Sequence, residues 1–413
     1  MARRSTLTTA LAATLVFGLA ACGNDDGGDS GGGGGGGGDA EGKVGVILPD
    51  PESSVRWESF DRPYLEAAFE EAGVEYDIQN AEGDAQRQAT IAEQMITEGA
   101  TVLAIVNLDS ASGAEIQESA EAEGVQTIDY DRLTLGGSAA YYVSFDNEEV
   151  GRLQGQGLQQ CLEANGVAQG NIAFLNGSPD DNNATLFSGG AHEVLDPLTQ
   201  YTQVAEQAVP DWDNQEAATI FEQMYTQNGG NIQGVLAAND GLANSVIQIL
   251  GRNNAAGASN VTGQDATVEG LQNILAGDQC MTVYKPIREE ADALAELAVA
   301  LINGEEAETN GTVEDPEGGR DVDSVLLTPI SIFRENVKEV VDDDFRGRVF
   351  SVYDTLFNVA FVGAVLAAAF VLPASGRSVP VLLVVSVVYL LAVAAFLGLR
   401  RRPALTALAL GVG

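Results

Sequence analysis

The chain has 413 residues, enough for two or three domains, and carries 60 acidic residues against 20 basic ones, a formal net charge of -40. That charge excludes nucleic acid and charge-driven binding to an anionic membrane surface as partners. A single histidine, His192, all but excludes histidine triads, histidine-rich metal sites and histidine acid–base catalysis, so no metal and no cofactor is expected.

Residues 1–22 read as an export signal: Arg3 and Arg4 precede an apolar stretch from Leu7 to Leu19, too short for a membrane span. It ends Leu19-Ala20-Ala21-Cys22-Gly23, which resembles a bacterial lipobox and marks Cys22 as the lipidated residue. One lipidated residue tethers a protein to the outer face of a membrane without spanning it. Residues 23–42, with the unbroken run Gly31 to Gly38, cannot pack a core and read as a flexible linker.

From Lys43 onward short apolar runs alternate with helical stretches. Strands are expected at Val44–Leu48, Tyr76–Ile78, Thr101–Val106, Val125–Asp129 and Tyr141–Phe145, with helices near 58–72, 85–98 and 111–123 between the first four. A second series follows. Its helix at 151–164 (Cys161 inside it) leads to a strand at Asn171–Leu175, a helix after Asn183 holding His192 as a packing or surface residue, and a strand from Tyr201 to Val209. Next come a helix at 215–227, a strand at Val235–Ala238, a helix at 241–252 and a short strand at Asn260–Thr262. The helix 268–276, the strand Met281–Tyr284 and the helix 289–303 complete the series. Residues 304–323 are acidic and Gly-rich and read as a loop before a last strand, Val325–Leu327. Roughly 300 residues of βα units exceed one doubly wound sheet and imply an α/β chain with two parallel-sheet lobes. Cys161 and Cys280 lack CxxC spacing and either pair outside the cell or stay free; the sequence does not decide.

Polar residues gather after the strand ends, where ligands bind in open α/β sheets. The runs are Arg56-Trp57, Asp131-Arg132, Asn176 to Asn183, Asp211-Trp212, Asn239-Asp240, Gly263-Gln264-Asp265 and Lys285. Singly these fit bland roles: Asp181, Asn183 and Asn239 suit helix caps, Asp131–Arg132 a surface ion pair, and Lys285 a solvated charge. Jointly they lie on one side of the expected sheets. Both tryptophans of the chain, Trp57 and Trp212, sit in such loops. Flat indole faces stack on the C–H faces of a pyranose, while Asp and Asn accept from its hydroxyls and Arg, Lys and Asn donate to them.

These stretches, with Ala81-Glu82-Gly83-Asp84, Asp129-Tyr130, Val143 to Glu148, Met281 to Pro286 and Leu327 to Ile330, resemble the periplasmic D-xylose-binding protein group over about residues 43–341. Proteins of this group are sugar-binding subunits of ABC importers with the type I periplasmic binding protein fold. The resemblance implies that Trp57 and Trp212 sandwich a monosaccharide. Arg56, Asp131, Arg132, Asp181, Asn183, Asn239, Asp265 and Lys285 would bond its hydroxyls and ring oxygen. It implies hinge crossings near Asp146, Asp265 and Thr328, an N-terminal lobe of residues 43–145 and 266–327, and a C-terminal lobe of residues 146–265 and 328–341. It also implies an ABC permease with its ATPase subunit as partner, and lobes on the extracytoplasmic face of the cell membrane. The expected function is capture of an aldose, D-xylose first, without catalysis. The alternatives are a sugar-sensing subunit for a chemoreceptor or sensor kinase and, further off, a glycoside-processing enzyme using paired acids such as Asp131 and Asp265.

The pattern breaks after Val341. Residues 344–413 resemble the last helices of a major facilitator transporter, with two expected membrane spans at 349–373 and 379–399. Arginines before the first span and after the second place both ends inside, in conflict with an exported preceding domain. Two helices cannot form a transport pathway, so the tail is expected to be a fusion or assembly artefact, or at most a second anchor.

Overall fold

A computed structural model of the chain describes residues 42–338 and residue 340. The export signal with Cys22, all but the last residue of the linker, and the hydrophobic segment 344–413 with its two expected spans lie outside the described residues. Among the described residues no helix is long and apolar enough to cross a membrane.

The elements run β1 (Lys43–Leu48), a π-helical turn (Trp57–Asp61), α1 (Arg62–Ala72), β2 (Glu75–Asn80), α2 (Ala85–Thr97), β3 (Val102–Ile105), α3 (Ser110–Ala122), β4 (Gln126–Tyr130) and β5 (Tyr141–Phe145). Then come α4 (Asn147–Ala164), β6 (Gly170–Asn176), α5 (Asn182–Leu195), β7 (Tyr201–Ala208), a 3-10 turn (Pro210–Trp212), α6 (Asn214–Gln227), β8 (Gly234–Ala237), α7 (Asp240–Arg252) and β9 (Asn260–Val261). The chain continues through α8 (Val268–Ala276), β10 (Met281–Tyr284), α9 (Ile287–Asn303), β11 (Gly311–Asp315), β12 (Arg320–Leu327) and β13 (Ile330–Phe333).

Two parallel sheets carry the fold. The first has the order β11-β12-β5-β4-β3-β1-β2, parallel throughout except for the hairpin β11–β12. The second has the order β7-β6-β8-β9. Central strands such as β1 and β8 are apolar on both faces because helices cover both, and Val44, Val46, Val235 and Ala237 are fully buried. Side-chain caps set where helices begin: Asp84, Asp109, Asp181, Asp213 and Asn239 each accept from backbone N–H groups of the helix that follows. Each therefore also fixes where a strand-end loop stops.

Two expectations change, and one alternative left open is decided. Residues 304–323 are not a loop; they hold β11 and the start of β12, paired Val313 to Val322, with Val322 buried. Glu314, Asp321 and Asp323 face solvent, and the buried Asp315 ends β11 and holds the turn by accepting from Glu317 and Gly318 N–H, which hid the strand pattern. Second, the chain does not return to the first lobe at residue 266. Met281 and Val283 of β10 pack with Val235 and Val261, and β10 pairs with β13, itself absent from the expected strands. Leu271 and Ile274 of α8 pack on Ile332. The chain rejoins the first core at α9, through Ala291, Leu294 and Leu297 against Leu65 and Phe69, and stays there through β11 and β12. The crossing expected near Asp265 is therefore at Lys285–Pro286. The chain also passes between the cores where β5 leads into α4 at Asp146, and around Thr328 between β12 and β13. Cys161 and Cys280, left open by the sequence, are disulfide-bonded, with Cα atoms 6.4 Å apart, tying α4 to the start of β10. His192 packs flat on Phe174, its ring nitrogens against Asp196 and Glu206.

Candidate functional site

Each of the ten residues singled out from the sequence stands at a carboxyl end of a parallel strand or of β10, and all ten line one cavity between the two cores. Arg56 and Trp57 follow β1, and Asp131 and Arg132 follow β4. From the other side come Asp181 and Asn183 at the start of α5, Trp212 after β7, Asn239 capping α7, Asp265 after β9 and Lys285 after β10. Their side chains are buried; even Arg56 and Lys285 are only 2% and 5% exposed. Charged groups this deep must be paired and hydrogen-bonded.

On the first side Arg56 is the organiser. Its Nε and Nη2 donate to Asp61 (2.9 and 2.6 Å), its Nη1 to Asp131 Oδ2 (2.6 Å), and Nη2 also to Glu290 Oε2 (2.5 Å). Tyr130 donates its hydroxyl to Asp61 at 2.8 Å. Burial alone would raise the Asp131 carboxyl, but the charges of Arg56, Lys285 and Arg132 outweigh it and hold it below the ordinary range. Glu290 goes the other way: burial pushes it well up against the pull of Arg56, and the neighbouring Asp131 and Asp61 add to the rise. The guanidinium of Arg56 also lies 4.5 Å over the Trp57 ring, a cation–π contact.

Backbone strain concentrates here. Asp131, Trp212 and Asp265 have φ of 63°, 55° and 91°, left-handed values that non-glycine residues adopt at a cost of order 1–3 kcal/mol each. Such a conformation survives only if its surroundings over-determine it. At Asp131 they do: its N–H donates to Val143 O, and its carbonyl accepts from Ser144 Oγ (2.8 Å), Asn183 Nδ2 (2.9 Å) and Tyr142 OH (3.0 Å).

On the second side, Asp181 Oδ2 accepts from Trp212 Nε1 (3.2 Å) and lies 3.1 Å from Arg132 Nε. Burial raises the Asp181 carboxyl, with Arg132 opposing. Lys285 Nζ stands 3.2 Å from Asp265 Oδ1 and over the rings of Phe145 and Phe187. Gly177 permits the position of Trp212, since a Cβ there would collide with the six-membered part of the indole. Both indoles are thus fixed by their N–H groups, Trp57 through Ser53 Oγ at 3.1 Å.

The wall therefore presents three cations (Arg56, Arg132, Lys285), three carboxylates (Asp131, Asp181, Asp265) and two amides between two indoles. Formal charge in this wall cancels, so it suits a small neutral ring carrying hydroxyls rather than an ion. Gln264, from the strand-end run Gly263-Gln264-Asp265, also lines the cavity, as do Ser53, Ser54 and Phe187, which were not singled out from the sequence. Ser53 and Ser54 share the strand-end loop of Arg56, so the strand-end rule reaches them. Glu290 carried no cue, because an acid in the first turn of a helix reads as solvent-facing.

Residues 44–306 match the family model for a periplasmic binding protein domain. The chain is 37% identical over 307 residues to a D-xylose-binding periplasmic protein of Escherichia coli (strain K12), covering 74% of this chain and 90% of the relative. It is 35% identical over 305 residues to a D-xylose-binding periplasmic protein of Haemophilus influenzae, covering 73% and 89%. An ABC transporter solute binding protein from Clostridium phytofermentans with bound β-D-glucose aligns with a TM-score of 0.66 at 30% identity, over 72% of this chain and 96% of that one.

Proposed function

The chain belongs to the periplasmic binding protein family, and from that premise we propose that it captures an aldose, D-xylose first, between its two lobes and hands it unchanged to an ABC permease. The observation that carries this reading is the buried cavity wall: ten polar and aromatic side chains from the strand ends of both cores, meeting with their charges paired. Trp57 and Trp212 are read as the two stacking faces. Arg56, Asp131, Arg132, Asp181, Asn183, Asn239, Asp265 and Lys285 are read as the hydroxyl and ring-oxygen partners. The free space along this wall is small, ≈ 30 Å³, and the reading has the lobes part to admit a pyranose. Asp146, Lys285–Pro286 and Thr328, where the chain passes between cores, are the proposed hinge. Relatives named for xylose and a structure holding glucose both support the aldose class, and the xylose relatives favour the pentose.

Calorimetric titration of the full-length chain in detergent with xylose, glucose, ribose and galactose tests the proposal. Tight binding of one aldose, recovered unaltered, is expected, with xylose tightest; heat from none of the four overturns it. Lipidation of Cys22 would hold the lobes on the extracytoplasmic face of the membrane. Cys22→Ala should then release the amino-terminal anchor, read as loss of the acyl mass from the amino-terminal peptide.

A further inference from the structure

One strand-end loop does more than line the cavity. Residues 50–54 leave the end of β1 and reach across to the opposite core. Two grooves, of ≈ 1020 and ≈ 730 Å³, flank the cavity, and Glu52, Ser53, Asn214 and Gln215 border both. The loop thus stands between the grooves as a strap over the cavity. Ser53 is its centre and is 7% exposed. Its backbone N–H and its hydroxyl donate to the two oxygens of Asp50, the hydroxyl at 2.7 Å, so Asp50 fixes the rotamer. The same hydroxyl oxygen accepts from Trp57 Nε1, and the Ser53 carbonyl accepts from Asn239 Nδ2 of the opposite core at 3.4 Å. The adjoining Ser54 hydroxyl donates to Asp265 Oδ2 at 3.1 Å, again across the cleft.

We propose that Ser53, oriented by Asp50, is a positioning residue that couples the tilt of the Trp57 ring to lobe closure and thereby sets how long a bound sugar is held. The inference rests on the reading of the cavity as an aldose site. The two cross-cleft bonds join residues of opposite cores, so they form only when the lobes meet. They favour the closed state over the open one and act on release, not on encounter. The Ser53 hydroxyl joins the indole to Asp50 within the strap, and the strap's links across the cleft are the Ser53 carbonyl and the Ser54 hydroxyl beside it, so a ring displaced from its stacking angle shifts the segment that makes those links.

Both tryptophans border the cleft, and they are the only two in the chain, so intrinsic fluorescence reports binding there without a label. Stopped-flow mixing of the full-length chain in detergent with D-xylose, for wild type, Ser53→Ala, Ser53→Thr and Asp50→Asn, resolves the rates. Losing one hydrogen-bonding hydroxyl predicts dissociation faster by roughly five- to tenfold in Ser53→Ala, with association unchanged within about twofold. Ser53→Thr, which keeps the hydroxyl, should restore most of the slow release, and Asp50→Asn should fall between. A dissociation rate unchanged in Ser53→Ala, with wild type binding xylose, overturns the coupling and leaves the sugar site standing. A loss carried equally by both rates also overturns it. Wild type failing to bind any aldose overturns the site and the coupling with it.

Discussion

Replacing Arg56 with Met removes the guanidinium shared by Asp61, Asp131 and Glu290 while keeping a long side chain beside the Trp57 ring. Asp61 and Glu290 are fully buried and Asp131 is nearly so, so water cannot replace the lost partner. Deleting one member of a buried ion pair costs about 3–5 kcal/mol. Three acids lose the guanidinium they share, but protonation gives Asp131 and Glu290 an exit, so the expected loss near neutral pH is about 5 kcal/mol, on the scale of a whole domain's stability. The pH dependence separates this cause from a packing defect. In wild type Asp131 is held below its ordinary value, so its stabilisation is present above its unfolded pKa and fades as pH falls through the folded one. Glu290 is raised, so its stabilisation is present below its unfolded pKa and fades as pH rises. Without Arg56 the first group joins the second, and the variant should gain stability on going from about pH 7 to about pH 5. Urea unfolding at the two pH values measures it. A variant within about 1 kcal/mol of wild type, or one that weakens toward the lower pH, refutes the reasoning.

Gly177→Ala should push the Trp212 ring out of the cavity and weaken aldose binding about tenfold or more, read by calorimetry; an unchanged affinity would mean the ring position is not needed. Burial pushes the Asp240 carboxyl up to about 7, against bonds from Gln279, Thr267 and Thr282. Its raised folded value means that its stabilisation is complete at low pH and lost as pH rises through about 7. Asp129 is pushed up to about 7 in the same way, and Glu290 and Asp181 are raised as well, so Asp240→Asn should remove one share of the decline in urea stability between about pH 5 and about pH 8 and leave the rest. An identical slope in the variant would contradict it. Reducing the Cys161–Cys280 bond, which spans 119 residues, should cost about 4–5 kcal/mol in urea unfolding if chain entropy governs. Equal unfolding with and without reductant would exclude that role.

The positions of the site residues were legible because their physics is local. Asp131 directly after β4, and Asp265 in the short loop after β9, are placed at the carboxyl edge of a parallel sheet by the strand before them. The two tryptophans were legible for the same reason, since neither fits a strand or an apolar helix face. Membership of a sheet was not legible past residue 265. The lengths of α8 and β10 are the same whichever core receives them, and only the packing of Met281 and Val283 decides. The hairpin β11–β12 was hidden by Asp and Glu on its exposed face, which suit an edge strand as well as a loop. The left-handed backbones of Asp131, Trp212 and Asp265 leave no trace in residue type, because the tertiary bonds that hold them come from distant segments. Glu290 and Asp61 behind Arg56 were invisible for a related reason: an acid on a helix looks solvated until a buried cation is placed beside it.

The most direct measurement is a crystal structure of the protein grown with D-xylose. A single pyranose is expected between Trp57 and Trp212, with hydroxyls within hydrogen-bond distance of Arg56, Asp131, Asn183, Asn239 and Lys285, and with the lobes closed across Ser53. Density for the sugar outside this cavity, or one indole turned away from it, would contradict the central claim.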